Sequence, residues 1–375
     1  MRVLPFAATL ALLAPGCDRS PTVRVIPVSG LRASGPVING LRSGEWVIEC
    51  EDDRTVQCGR FERGLRTGTW TECDAAGIVR VRGEWNAGRE HGPWEEFHAD
   101  GTPAVRGRLR DGRRHGPWIA YHPGGGRRLE IAFEDDLPHG EMSQWAEDGS
   151  LVRTAAFEHG LAHGTWLERA ANGALVVEET WRAGRREGIW TAWYESGGRR
   201  TLGRFADGLR EGEWIEWYES GAERSLTTWA RGLQHGMYVE TDERGAVVMR
   251  GRFAEGKRSD EWISFHPDGR MATRCTFDEG RLHGLFERWY PSGTLELQTT
   301  YVQGVSDGPY RRFDPSGRLR AEGSLRAGRR SGVVRVFAED GTLDTEQSGV
   351  FENHERTGPL PNDALASPPS GPLPR

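Results

Sequence analysis

The sequence contains little aliphatic material for its length, and this shortage argues against a conventional large core. Hydrophobic residues make up 36% of the 375 residues, and no run of 18 apolar residues follows residue 20. A transmembrane helix needs about 20 consecutive, mostly apolar residues. We therefore expect no helix beyond residue 20 to cross a bilayer.

A basic excess and a helical periodicity are missing as well. The chain has 49 Lys and Arg against 55 Asp and Glu, for a net charge of −6. Nucleic-acid-binding domains usually carry positive surfaces that displace counterions from phosphates, so nucleic acid is not an expected partner. No segment sustains an apolar period of 3.6 residues between helix caps, and glycine recurs too often for stable helices.

Glycine and tryptophan are abundant instead. The chain has 51 Gly and 15 Trp, and its glycine share is roughly twice the usual value of about 7%. Tryptophan buries a large apolar area in a single side chain. This composition indicates many tight turns between short strands whose apolar contacts come mainly from rings.

A repeat of 24 residues organises the chain. The segment Gly-Leu-Arg-Thr-Gly-Thr-Trp begins at Gly64, and similar segments begin at Gly88 and Gly112. The position of Gly44 is glycine in twelve of thirteen repeats, and the position of Trp46 is aromatic in eleven of thirteen. A period held over this length indicates one repeat array rather than separate domains.

Each repeat has the pattern of a β-hairpin. Residues 94–97 predict a strand, Ala99-Asp100-Gly101 a turn, residues 105–109 the return strand, and the Gly-x-x-x-Gly segment a second reversing loop. The sequence therefore predicts an all-β fold: an elongated, twisted, single-layer antiparallel meander of about thirteen 24-residue hairpins. We expect the array to occupy residues 22–358 and a disordered Pro-rich tail to occupy residues 359–375.

One segment shows a family resemblance particularly well. Residues 208–221 read Gly-Leu-Arg-Glu-Gly-Glu-Trp-Ile-Glu-Trp-Tyr-Glu-Ser-Gly, and this pattern resembles the MORN repeat, in the bacterial variant of the YwqK-type antitoxin family. The resemblance covers residues 22–358. It implies an elongated β-sheet that binds proteins or phospholipids, and the antitoxin family implies binding to a partner toxin.

The N-terminus resembles an export signal. Arg2 precedes an apolar stretch from Leu4 to Ala14, and Leu13-Ala14-Pro15-Gly16-Cys17 resembles the cleavage site of a bacterial lipoprotein. Residues 1–16 are thus a predicted signal peptide, residues 17–21 a linker, and Cys17 a candidate lipidation site that anchors the protein to a membrane. Ordinary signal cleavage is the alternative. Both predict export to the bacterial cell envelope, lipid-anchored or otherwise periplasmic or extracellular.

No group of residues predicts catalysis, a cofactor or a metal. His91, His115, His139 and His163 share one position of the repeat, but equivalent residues of successive hairpins lie about 10 Å apart. Zinc ligands must each come within about 2.0–2.1 Å of the ion. The Gly-x-x-x-Gly segments lack the Lys-Ser/Thr of a phosphate loop. We therefore expect a non-catalytic protein.

Aromatic residues three apart in a strand, such as Trp190 and Trp193, point to opposite faces, and a single-layer sheet cannot cover both. This predicts a surface for a protein partner of unknown identity. The candidate residues are Trp190, Trp193, Tyr194, Trp214, Trp217, Tyr218 and Trp229.

Basic residues recur in the Gly-x-x-x-Gly segments, whereas the opposite hairpin tips are rich in acidic residues. The candidate basic edge consists of Arg42, Arg66, Arg113, Arg185, Arg210, Lys257, Arg281 and Arg329. Such an edge is suited to anionic lipid headgroups or another anionic partner. Plain solvation of exposed turns is the alternative interpretation.

One cysteine pair is a candidate disulfide. If Phe61 faces Trp70 across the reversing segment, the same antiparallel register places Cys58 opposite Cys73. Opposed residues come close enough for a bridge with modest adjustment, and an exported protein meets oxidising conditions. The alternative is two partly buried thiols.

Overall fold

The computed structural model describes residues 31–50 and 56–362, and every regular element in these ranges is a β-strand. The prediction of an all-β antiparallel hairpin meander is confirmed. The predicted signal peptide, Cys17, the linker and residues 363–375 of the tail lie outside the described residues. Within the described ranges, no helix has the length and apolarity that a membrane crossing requires.

The chain divides into two compact units, each built of hairpins. Among the described residues, the first comprises residues 31–50, 56–151 and Phe157–Gly160, and the second comprises Val152–Ala156 and residues 161–362. Strand β14 (Leu151–Glu158) contributes residues to both. The strands of the first unit are β1 (Leu31–Ser34), β2 (Val37–Ile38), β3 (Leu41–Arg42), β4 (Gly44–Cys50), β5 (Val56–Glu62), β6 (Leu65–Cys73), β7 (Val79–Asn86), β8 (Arg89–Phe97), β9 (Pro103–Arg110), β10 (Arg113–Arg114), β11 (Gly116–Tyr121), β12 (Arg127–Glu134) and β13 (Leu137–Trp145).

The second unit continues the same pattern to the end of the array. Its strands are β15 (Leu161–Arg169), β16 (Leu175–Arg182), β17 (Arg185–Trp193), β18 (Arg199–Ala206), β19 (Leu209–Trp217), β20 (Glu223–Ala230), β21 (Leu233–Thr241), β22 (Val247–Ala254), β23 (Lys257–Phe265), β24 (Met271–Asp278), β25 (Arg281–Trp289), β26 (Leu295–Val302), β27 (Val305–Phe313), β28 (Leu319–Arg326), β29 (Arg329–Val336), β30 (Gly349–Glu352) and β31 (Glu355–Gly358).

The hairpin tips are four-residue turns closed by backbone and side-chain hydrogen bonds. In the tip between β8 and β9, the Gly101 amide donates to the His98 carbonyl at 3.0 Å. Gly101 has φ +81, which suits the glycine that follows a type I turn. Asp100 accepts hydrogen bonds from the hydroxyl and the amide of Thr102, and these bonds hold the pKa of the exposed Asp100 carboxyl below its usual value.

The second reversal differs from the prediction. The Gly-x-x-x-Gly segment is not a loop, because the residue before its first glycine and that glycine make the whole turn. Ala183 (φ 47) and Gly184 (φ 78) have the positive φ values of a type I′ turn, which matches the twist of the flanking strands. Strand β17 then begins at once, and its second glycine, Gly188, lies beside a bulge where the register shifts between Glu179 and Trp181.

Successive repeats are hydrogen-bonded to each other at both ends of the strands. Along the tight turns, the Gly208 amide donates to the Arg186 carbonyl at 2.8 Å, and equivalent bonds recur in other repeats. At the tips, the Tyr194 hydroxyl donates to the Trp217 carbonyl at 2.7 Å and the Tyr218 hydroxyl to the Thr241 carbonyl at 2.9 Å. Each repeat therefore supports the position of its neighbour, as in other repeat arrays.

One face of the strands carries the main apolar packing, and we call it the tryptophan face. Trp70 is 4% exposed, meets the Phe61 ring edge-on at 5.0 Å, and lies under the Arg66 guanidinium at 4.1 Å. The ring also lies directly over Gly59, where a Cβ would come within 2.3 Å of it. The same overlap joins Gly35 to Trp46, Gly83 to Trp94, Gly107 to Trp118, Gly203 to Trp214 and Gly251 to Trp262.

The size of the ring and the size of the residue beneath it vary together. Where the ring is smaller than tryptophan, a larger residue faces it on the preceding strand: Thr227 faces Tyr238, Cys275 faces Phe286 and Thr299 faces Tyr310. Trp190 differs from the six tryptophans above, because Glu179 faces it on the preceding strand. Trp190 remains partly exposed and stacks on Trp214 with ring centroids 5.5 Å apart.

Replacing Ala183 with asparagine should stabilise the protein. Alanine at positive φ is strained by about 1–2 kcal/mol, whereas asparagine-glycine is a preferred type I′ pair. We expect the free energy of unfolding to rise by about 0.5–1 kcal/mol, measured by urea unfolding followed by circular dichroism. Ala183→Val is the control and should destabilise, because a branched Cβ fits φ 47 poorly. Equal stability of the two variants would contradict the turn geometry.

Candidate protein-binding surface

The face opposite the tryptophan face carries cross-strand ion pairs in the first unit. Glu95 on β8 lies 3.3 Å from Arg82 on β7 and 3.1 Å from Arg106 on β9. The backbone register places these three residues directly opposite one another. A charged row of this kind is suited to contact with water and offers little apolar area to a partner.

Ion pairs also occupy this face towards the end of the second unit. Glu322 on β28 is buried between Arg311 on β27, at 3.4 Å, and Arg335 on β29, at 2.9 Å. Arg274 on β24 makes ion pairs of 2.6 Å with Glu261 and 4.0 Å with Glu287. Opposite charges thus lie together across neighbouring strands, as buried or half-buried charges require.

In strands β18 to β21 of the second unit, the same repeat positions are apolar. Leu202 on β18 pairs with Ile215 on β19, Ile215 with Leu226 on β20, and Leu226 with Val239 on β21. All four side chains are half-buried. They occupy the positions that hold Arg106, Glu95 and their equivalents in the charged rows. We call Leu202, Ile215, Leu226 and Val239 the apolar row.

Two tryptophans extend the apolar row towards the hairpin tips. Trp217 lies two residues beyond Ile215 in β19, and Trp193 lies two residues beyond Thr191, which takes the equivalent position in β17. Both tryptophans therefore share the face of the apolar row. Both indole rings are half-buried, and the Arg199 guanidinium lies 5.8 Å from the Trp217 ring. The apolar row with Trp193 and Trp217 forms one surface of neighbouring side chains, which we call the apolar patch.

The structure divides the predicted binding residues into three groups. Trp193 and Trp217 belong to the apolar patch. Trp190, Trp214 and Trp229 lie on the tryptophan face, where Trp214 is only 3% exposed and the Arg210 guanidinium covers Trp214 at 4.2 Å and Trp229 at 4.8 Å. Tyr194 and Tyr218 link successive tips through their hydroxyl groups.

Trp214 was therefore wrongly placed in an accessible surface, since its ring fills the space over Gly203. The apolar row was missed by the sequence reasoning. A comparison of equivalent positions between repeats would have found it, because Leu, Ile and Val replace Arg and Glu there in consecutive repeats.

The predicted basic edge also divides. The guanidinium groups of Arg42, Arg66 and Arg210 lie over tryptophan rings at 4.8, 4.1 and 4.2 Å. The remaining members are exposed and each directly follows a tight turn: Arg113, Arg185, Lys257, Arg281 and Arg329. Exposed leucines take the same position in other repeats, namely Leu41, Leu65, Leu137, Leu161, Leu209 and Leu233.

The predicted disulfide is wrong in its register. Cys58 pairs with Thr71 and Cys73 pairs with Val56, so the two cysteines are diagonal rather than opposite, and no disulfide joins them. A bulge causes the difference, because the three residues from Gly68 to Trp70 face the single residue Gly59. Diagonal neighbours in a sheet lie about 7–8 Å apart at Cα, too far for a bridge without backbone movement.

The comparisons with known proteins bear on the repeat itself. A family model described as "MORN repeat variant" matches residues 282–303, which span β25 and β26 almost entirely. The match supports a MORN-type repeat protein. None of the curated proteins matches the chain. The YwqK-type antitoxin resemblance remains a prediction.

One solved structure similar to the chain is titled "Crystal Structure of TcdB2-TccC3 without hypervariable C-terminal region". The identity is 11% and the TM-score is 0.16. The match covers 84% of this chain and 20% of that chain, so this chain spans a small part of the other protein's length.

Proposed function

We propose that this MORN-type array is a non-catalytic scaffold that binds a protein partner through the apolar patch. The observation that carries the proposal is the change from charged to apolar residues along one row of the same face. Four successive strands place Leu, Ile or Val at the positions that hold ion-paired Arg and Glu in the repeats of Glu95 and Glu322. Apolar residues grouped on an otherwise charged face commonly mark interaction sites.

The patch has dimensions that suit a helix or a strand of a partner. The five strands β17 to β21 lie about 4.8 Å apart, so the patch is about 20 Å wide. Its aromatic members, Trp193 and Trp217, belong to the residue type that most often dominates binding energy at interfaces. The antitoxin-like resemblance names one kind of partner, a toxin, and an anchor on Cys17 places the scaffold at the cell envelope.

A second candidate function is binding of anionic membrane lipids along the tight turns. The observation in its favour is the mixture of exposed leucines and exposed basic residues at one position of the repeat. Leu161 and Leu209 are 50% and 49% exposed, and Arg185 in the intervening repeat is exposed as well. Apolar side chains next to cations suit the headgroup region of an anionic bilayer.

A paired substitution tests the protein-binding proposal without removing the fold. Ile215→Glu with Leu226→Arg reproduces the Glu95 and Arg106 pair in the same register. We expect this variant of the full-length chain to lose at least about tenfold in partner affinity, since two central apolar contacts become charged. Retained proteins from a solubilised envelope fraction would be quantified by mass spectrometry, and the affinity of the recovered partner measured directly.

The matched control reverses all three charges of the row outside the patch, Arg82→Glu, Glu95→Arg and Arg106→Glu, which keeps both ion pairs and should leave binding unchanged. Raising the salt concentration separates the two candidates. Binding through the apolar patch should persist, whereas cosedimentation with anionic vesicles should fall steeply. Partner affinity that is equal in the paired variant and the unmodified protein would refute the assignment of the patch.

A further inference from the structure

The third residue after each tight turn often contacts the next turn along the edge. Glu187 accepts a hydrogen bond from the Asp207 amide at 3.0 Å, and Glu211 accepts one from the Arg231 amide at 2.8 Å. In the first unit, His139 on β13 has the same role, because its Nδ1 lies 3.4 Å from the His159 amide nitrogen. In this repeat, the turn residue whose amide is contacted, His159, is itself a histidine.

We propose that Glu134, His139 and His159 form a binding site for one divalent transition-metal ion. The Glu134 Oε2 atom lies 3.7 Å from His139 Nδ1 and 4.0 Å from His159 Nδ1. All the potential ligand atoms lie within 4.8 Å of one another. The two imidazole rings are 5.1 Å apart between centroids. Glu134 ends β12, and His159 begins the turn after β14.

The donor set and its spacing fit such an ion. Zinc bonds of about 2.0–2.2 Å place the ligands of a tetrahedral site about 3.4 Å apart. The distances from Glu134 to the two histidines therefore need to close by less than about 1 Å, and the distance between the two histidine nitrogens by at most about 1.4 Å. The side chains are 51%, 42% and 70% exposed, which leaves them room to rotate. Two imidazoles and one carboxylate suit zinc, copper or nickel, whereas calcium and magnesium prefer oxygen ligands alone. Water would complete the coordination, and His139 Nδ1 would exchange its contact with the His159 amide for the ion.

The surrounding charges leave the Glu134 carboxylate directed at the histidines. The two residues that follow Glu134 are engaged elsewhere. Asp135 pairs with Arg110 at 2.8 Å, and Asp136 pairs with Arg114 at 3.0 Å. Among the residues that the structure describes, this is the one group of three potential ligands brought so close together.

The preceding repeat provides a natural counter-example. There the position of Glu134 is Arg110, and its Nη1 lies 3.2 Å from His115 Nε2. The position of His159 in that repeat is Asp135, which binds the same arginine. A guanidinium thus occupies the space that the metal would take, and His115 should not bind one.

The separation of about 10 Å applies only to histidines at one position of successive repeats. Residues at one position of successive repeats are separated by two strands, and His139 has no such partner in the site. His159 belongs to a different position, and the tight turn brings it against the preceding repeat. The sequence alone does not show this contact, because the turn-to-turn packing depends on the type I′ geometry.

Zinc titration of the full-length chain tests the site. Chelator-treated protein, with its thiols alkylated to exclude cysteine ligands, would be titrated with Zn²⁺ by calorimetry and with Co²⁺ by visible absorption. We expect one ion per chain. His159→Ala and Glu134→Gln should each weaken binding by more than about tenfold. His139→Gln should do the same while retaining an acceptor for the His159 amide.

His115→Ala is the matched control and should bind Zn²⁺ as the unmodified chain does. Circular dichroism of each variant separates loss of the site from loss of the fold. The proposal is overturned if the chain binds no zinc. It is equally overturned if His159→Ala, His139→Gln and Glu134→Gln all bind zinc with unchanged affinity while folded.

Discussion

Gly251→Thr should lower the free energy of unfolding by about 3 kcal/mol, at the upper end of the range for overpacked cores. The Trp262 ring lies across Gly251, and a Cβ there would come within 2.2 Å of the ring. The ring cannot move aside easily, because Phe253 meets it edge-on at 5.0 Å and Tyr238 stacks on it at 5.6 Å. Urea unfolding followed by far-ultraviolet circular dichroism measures the loss.

A second substitution should restore much of that loss. In the double variant Gly251→Thr with Trp262→Tyr, the pair becomes threonine under tyrosine, which the chain already uses at Thr227 and Tyr238. We expect a favourable coupling of at least about 1 kcal/mol between the two changes. Gly126→Thr is the control for adding threonine, because nothing lies within 4 Å of the Cβ position there. A double variant no more stable than Gly251→Thr would argue against size matching.

Trp214→Ala should mainly reduce stability and Trp217→Ala should mainly reduce binding, although the two residues are three apart in one strand. Trp214 is 3% exposed on the tryptophan face, so its removal leaves a cavity and should cost about 3–5 kcal/mol of stability. Trp217 is half-buried on the opposite face, and its truncation should cost about 1 kcal/mol. It should also reduce partner affinity by at least about tenfold.

Two measurements distinguish these effects. Urea unfolding gives the stability of each variant, and affinity is measured at a temperature where both remain folded. Trp193→Ala should resemble Trp217→Ala, since both rings flank the apolar row. If Trp217→Ala proved as destabilising as Trp214→Ala and left binding intact, both aromatic rows would be structural and the apolar patch would lose its aromatic anchors.

The repeat period was sufficient to predict the strands and their antiparallel order, because glycine positions fix the reversals and strand alternation fixes the faces. The register could not be predicted in the same way. Beside Gly59, three residues of β6 face one residue of β5, and a bulge of this kind leaves the spacing of glycines and aromatics unchanged. The disulfide prediction for Cys58 and Cys73 was wrong for that reason.

The candidate sites were predicted in part. Strand alternation correctly separated Trp190 from Trp193, but it could not show which face was buried. That depends on the residue across the strand pair: Gly203 admits the Trp214 ring, whereas Glu179 faces Trp190. The approach of His159 to His139 depends on contacts between the turns of successive repeats. A comparison of residues that share one position of the repeat does not include such contacts.

The pairing of ring and small residue limits how the gene can lengthen. The residue beneath each ring belongs to the return strand that precedes it, as Gly203 precedes Trp214 and Thr227 precedes Tyr238. Unequal crossing-over could join a repeat of the glycine–tryptophan kind to one of the threonine–tyrosine kind. If the junction fell between the codon of the lower residue and the codon of the ring, the hybrid would have threonine under tryptophan, or glycine under tyrosine. One hybrid is overpacked and the other contains a void. Viable duplications should therefore have junctions that leave each such pair of codons together.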